Sequence, residues 1–115
     1  MSYDFFMMKP KVTIGSADEI SEETLLDQEP TALVAALSAL FPELVWRREM
    51  KGDWFGSLDG EDTWYEFRID AKPDLMWSIH TSRRTRTRNL IPRICSALGL
   101  VAFDRQTCLL IQPED

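Results

Sequence analysis

The chain has 115 residues, 44% of them hydrophobic, with four tryptophans, six phenylalanines and a formal net charge of −6. That is enough for a single domain, 1–115, burying roughly two thirds of the surface its unfolded form exposes, and it excludes the polar, charge-rich composition of a disordered chain. The negative balance disfavours nucleic acid, which needs surplus Lys and Arg on the binding surface, and suits a basic partner better; acidity that merely maintains solubility is the competing reading.

Tyr3-Asp4-Phe5-Phe6-Met7-Met8 puts apolar residues on both faces of an extended segment, which predicts a central strand covered on two sides. Ser16 and Glu19 have the S-x-x-E spacing of a capping box, with room for only a short helical turn. Leu33, Leu37, Leu40 and Phe41 recur at helical spacing, Pro30 suits a first turn and Pro42 stops the run, so a first helix is expected over about 27–40. A β-meander follows, with strands over 44–50, 54–58, 64–70 and 75–82, its first turns carried by Lys51-Gly52-Asp53 and Asp59-Gly60-Glu61-Asp62.

In the third strand of that meander Tyr65, Phe67 and Ile69 alternate with Trp64, Glu66, Arg68 and Asp70, so one face is buried and Trp64 points to the wet one. In the fourth, Leu75, Trp77 and Ile79 alternate with Met76, Ser78 and His80. A second helix, capped by Thr87 or Asn89, presents Ile91, Ile94, Cys95 and Leu98 on one side and ends at Gly99. Two short strands, 100–103 and 108–111, close the chain. The expected fold class is α+β: a mainly antiparallel sheet with a central meander and two helices packed on it in a single layer.

Charge is segregated along the sequence. From 75 to 103 there is no carboxylate but there are five arginines, whereas 12–46 carries no basic residue. The two segments can neutralise each other, or one can meet an outside partner. Arg83, Arg84, Arg86 and Arg88, just before a helix start, are the best anion site, for a phosphorylated ligand or nucleic acid. The acidic stretch Asp18, Glu19, Glu22, Glu23 and Asp27 is one candidate partner surface; Asp53, Asp59, Glu61, Asp62 and Trp64, in or beside one hairpin, form another, with tryptophan as anchor for a basic partner.

Catalytic and metal signals are weak. His80 is the only histidine, and Ser78, Ser82, Cys95 or Cys108 would have to serve as its nucleophile without any recognisable motif. A metal would draw on Asp59, Glu61, Asp62, Glu66 and His80, residues that in a hairpin turn usually just solvate it. The cysteines lack zinc or CxxC spacing, the N-terminal residues lack a signal-peptide pattern, and the apolar run 32–41 is about half of the roughly 20 residues a membrane span needs. The expectation is a reduced cytoplasmic protein, not an enzyme, with no metal, cofactor or membrane; a homodimer is compatible with the sequence.

Several segments resemble a family of small, mostly uncharacterised bacterial proteins. They are Tyr3-Asp4-Phe5-Phe6, Phe41-Pro42 followed by Trp46, Gly56, Glu66-Phe67, and the helix 91–98 leading into Gly99-Leu100-Val101-Ala102-Phe103-Asp104-Arg105-Gln106-Thr107. The chain departs where the family often has a glycine after that threonine, here Cys108, and where it tends to carry Val-Arg-Gly, here the Arg-Thr run. Members look like immunity proteins that bind polymorphic or secreted toxins and have no assigned catalytic residues. The resemblance therefore implies a binding protein that occludes the active surface of a cognate toxin domain, with the acidic residues steering a basic partner.

Overall fold

The computed structural model describes residues 3–60, 63–82 and 90–113. Among them lie strands β1 (Tyr3–Pro10), β2 (Leu25–Leu26), β3 (Val45–Arg48), β4 (Trp54–Asp59), β5 (Trp64–Ile69), β6 (Met76–Thr81), β7 (Val101–Asp104) and β8 (Leu109–Ile111). Helices α1 (Pro30–Leu40) and α2 (Leu90–Leu98) complete an α+β fold. Every strand pairing is antiparallel, in the order β3-β4-β5-β6-β1-β7-β8, with β2 added beside the end of β1. The meander β3 to β6 is as the alternation predicts, and β1 sits between β6 and β7. Its doubly apolar sequence explains that place: Phe5 and Met7 are buried on one face and Met8 on the other.

Both helices cover one face. Leu33 and Leu37 of α1 and Ile91, Ile94 and Cys95 of α2 share a core with Phe5, Met7, Leu58, Tyr65, Phe67, Ile69, Trp77 and Ile79. Each large side chain fully buried this way contributes about 1.5–3 kcal/mol. One close approach within this core needs a glycine: Trp46 and Gly56 are cross-strand partners, and a Cβ at Gly56 would lie 2.8 Å from the Trp46 ring. The indole cannot easily retreat, because its Nε1 donates to Ser38 Oγ at 2.8 Å and its ring meets Trp54 and Phe67 edge-on.

Helix α1 begins at Pro30, three residues later than its apolar spacing suggests. The reason is competition from the sheet: Leu25 and Leu26 pair with Pro10 and Lys9, and the Gln28 N–H donates to Asp74 O at 2.8 Å. Glu29 then caps the helix, its carboxylate accepting from Ala32 N at 2.8 Å, and the Ala32 and Thr31 amides hold its carboxyl below the usual range. Gln28 itself is buried, accepting from Trp77 Nε1 at 2.9 Å and donating to the carbonyls of Met7 and Leu75. Helix α2 ends at Gly99, φ 67°, with Leu100 N bonded back to Cys95 O at 2.9 Å, the closing pattern its glycine predicts.

Among the described residues no α-helix covers the opposite face. Residues 11–24 cross part of it, and Ile14 and Ile20 pack there with Met8, Leu25, Val101, Phe103 and Leu110. Leu75, expected beside Trp77 and Ile79, joins this second cluster because it precedes β6. The Ser16–Glu19 box forms by half: Ala17–Glu19 is a single 3-10 turn in which Glu19 Oε1 accepts from Gly15 N and Ser16 Oγ, while the Ser16 side chain caps no backbone amide.

Candidate functional site

Strand alternation decides what the helix-free face displays, and register decides who stands beside whom. Across the middle of the sheet one row runs Val45, Ser57, Glu66, His80, Asp4, each the Cα partner of the next on the neighbouring strand. A second row runs Arg47, Phe55, Arg68, Ser78, Phe6, Phe103, Leu110. At the margin, Asp59 stands opposite Trp64. The face is thus mixed, with aromatic rings set among charges of both signs.

Two groupings give it chemical character. His80 Nδ1 pairs with Asp4 Oδ1, Arg105 Nη1 lies 3.8 Å from the other Asp4 oxygen, and the Trp64 ring tilts against the imidazole with centroids 5.4 Å apart. Trp64 is 37% exposed, so most of its ring is supported by neighbours while an edge stays open to a partner. In the next row the guanidiniums of Arg47 and Arg68 lie 5.4 and 5.1 Å from the Phe55 ring centroid, one from each flanking strand. Arg47 also pairs with Glu49 at 2.9 Å.

The predicted partner residues distribute as follows. Asp18, Glu19, Glu22 and Glu23 are exposed on the 11–24 segment, hence on the same side of the sheet as Trp64. Two surfaces that sequence alone could not choose between therefore border one face. Asp27 lies at its margin, lining one cleft with Leu33 and Leu98 and another with Leu25 and Leu75. The β4–β5 hairpin carries its acidic residues at both ends: Asp59 stands beside Trp64 at one end of β4, and Asp53 is at the other end, its carboxylate accepting from Ala71 N at 2.8 Å. A six-residue extended strand separates the two by most of its length. Asp53 instead neighbours Asp70 and Asp74; burial foremost, then the Asp74 carboxyl, raises the Asp70 pKa above its ordinary 3.8. Glu61 and Asp62, like Arg83, Arg84, Arg86 and Arg88 and the expected cap, Thr87 or Asn89, lie outside the described residues.

For the nucleophiles considered with His80 the geometry is specific. Ser82 Oγ is bonded to Thr63 Oγ1 at 2.6 Å. Cys95 faces from α2 into the core, and its burial there pushes its thiol up to about 12. Cys108 sits between β7 and β8, its sulfur 3.9 Å from Arg105 O. Ser78 shares the helix-free face with His80 two residues away on β6. Among the described residues none of the four is hydrogen-bonded to the imidazole, and no group of three or more His, Cys, Asp or Glu is placed to hold a metal ion. No helix among them is long and apolar enough to cross a membrane.

Sequence reading did not anticipate Asp4, Phe55 and Arg105 as members of this face. Alternation gives the facing of Glu66 and Arg68, but the contact between Asp4 and His80 joins residues 76 apart and needs β1 to insert beside β6. No protein-family model, no curated protein and no solved structure matches the chain.

Proposed function

We propose that this chain is a non-catalytic binding protein, working in the cytoplasm as an immunity protein that neutralises a cognate bacterial toxin by covering its active surface. The observation that supports this reading best is that the acidic 11–24 segment and Trp64 both stand on the sheet face that neither α1 nor α2 covers, one toward each end of its strands. A partly exposed tryptophan supported by neighbouring side chains is a good anchor, and carboxylates on the same face attract a basic partner and speed encounter. The resemblance to the immunity family points the same way. Its departure at Cys108 falls on a residue with φ 58°, a left-handed conformation in which glycine carries no steric penalty.

The test is genetic and biochemical together. If the adjacent reading frame encodes a large secreted protein with a variable C-terminal domain, that domain should co-purify with this chain, and co-expression should rescue cells from it. A domain that neither binds nor is neutralised overturns the reading.

A second reading has its own observation. Arg47 and Arg68 flank Phe55 on the helix-free face, a combination that can hold a phosphate beside a stacked base. The anion site expected from the sequence at Arg83, Arg84, Arg86 and Arg88 belongs to the same reading. Steeply salt-dependent binding of single-stranded nucleic acid, lost in an Arg47→Ala, Arg68→Ala double variant, would favour it over the immunity reading.

A further inference from the structure

Where residues 11–24 climb onto the helix-free face they leave an open cleft of about 380 Å3 against the sheet, lined by Phe6, Met8, Ala17, Ile20, Met76 and Phe103. Its floor is an aromatic pair: Phe6 and Phe103 are cross-strand partners with ring centroids 6.5 Å apart and planes within 23°. The other lining side chains are aliphatic or thioether, so nothing in the cleft can hydrogen-bond a polar occupant through a side chain. The volume lies at the low end of the roughly 300–1,000 Å3 typical of ligand sites, which suits a side chain rather than a large cofactor.

The wall is built rather than loose. Ile20 packs on the Met8, Ile14, Leu25 and Val101 cluster, Thr24 Oγ1 donates to Glu19 O at 2.7 Å, and Lys11 N donates to Thr24 O at 2.7 Å. Gln112 Nε2, from beyond β8, donates to Ile14 O at 2.9 Å. A cleft held open in this way spares an incoming group the cost of ordering it. Met76, 37% exposed, can adjust its unbranched chain to the shape that enters.

Charge selects among apolar occupants. The 3-10 turn that supplies Ala17 also carries Asp18, which is exposed, and Glu22 and Glu23 follow exposed on the same segment. No lysine or arginine occurs from 12 to 46, and although Lys11 lines a neighbouring cleft with Glu22, the carboxylates of Asp18, Glu19, Glu22 and Glu23 outnumber it on this segment. On the sheet side the cleft is bounded by Ser78, the cross-strand partner of Phe6, with Arg68 one strand beyond. An aliphatic or aromatic side chain entering here is favoured when its chain neighbours are Lys or Arg lying toward 18–23, and disfavoured when they are carboxylates.

We infer that the Phe6, Phe103 and Met76 cleft receives one apolar side chain of a basic protein partner, whose flanking Lys or Arg residues meet Asp18, Glu22 and Glu23. This rests on the binding-protein reading above and specifies how that partner is held.

The direct probe is a set of three capped pentapeptides, Lys-Lys-Phe-Lys-Lys, Lys-Lys-Ser-Lys-Lys and Glu-Glu-Phe-Glu-Glu, titrated into the 15N-labelled chain. The first should give saturable amide shifts centred on Ala17, Ile20, Met76 and Phe103, with the other two binding at least about tenfold more weakly, the worth of one buried side chain or a few charge contacts. Ala17→Trp, which fills the cleft, should abolish the shifts; Met76→Lys, at an exposed position, should do the same by repulsion if Ala17→Trp fails to fold. Equal binding of all three peptides, shifts centred elsewhere, or none at millimolar peptide overturns the inference. Peptide binding in a chain that gives no protection against the adjacent toxin domain would leave the cleft standing and remove the immunity reading; protection without peptide binding does the reverse.

Discussion

The two faces of one sheet divide the work of this molecule. The same strands supply both, since successive residues point to opposite sides, yet the helix-covered face is a continuous apolar core while the other mixes rings with charges. On the covered face Phe67 touches Phe41, Trp46 and Trp77, and neighbours restrain neighbours. On the uncovered face the charged side chains remain at least partly solvated, so they contribute little to stability and remain available to a partner. A strand can therefore hold the fold with one alternate set of residues and present the other set to solvent.

Substitutions that cross this division test it, and the largest effect belongs to the covered face. Phe67→Ala should cost about 3–5 kcal/mol by opening a cavity among Phe41, Trp46 and Trp77, read as a lower urea midpoint with an unchanged slope. Gly56→Ala should cost about 1–3 kcal/mol, because the new methyl meets a Trp46 ring pinned by Ser38. A loss below about 0.5 kcal/mol there would mean that the indole moves freely, and the covered face would be less tightly fitted than its contacts imply.

The smallest effect concerns the row of carboxylates at the far end of β4 and β5. Asp70 binds its proton more tightly in the folded chain than unfolded, since its pKa is raised by burial and by Asp74. It therefore favours folding as pH falls through that raised value and opposes folding above it. Asp70→Asn should raise the unfolding free energy at pH 7 by less than about 1 kcal/mol, given solvent screening, and the gain should vanish below the ordinary 3.8, where the wild-type carboxyl is protonated both folded and unfolded. A gain that grows on acidification would reverse the assignment.

Much of the architecture was legible in the sequence for local reasons. Period-two alternation over Trp64–Ile69 and Met76–Thr81 set the facing of both strands, and Pro30, Pro42 and Gly99 punctuated the helices. What stayed hidden was long-range. Asp53 and Asp59 look adjacent in the chain, but the strand between them carries them apart. Asp4 and His80 look unrelated until β1 inserts between β6 and β7. The acidic segment came to stand on the same face as Trp64, toward the other end of the strands, only when Ile14 and Ile20 docked on Met8 and Val101, a choice made by tertiary burial that no local propensity encodes.

The division of labour is tested most directly at Trp64, by measuring stability and affinity on the same variant. Trp64→Ala should change the urea unfolding free energy by less than about 1 kcal/mol, since the residue is 37% exposed and lies on the uncovered face, while weakening binding to the proposed partner by about 2 kcal/mol or more, roughly thirtyfold. Unchanged affinity, or an affinity loss that merely follows a comparable loss of stability, would contradict the assignment of recognition to this face.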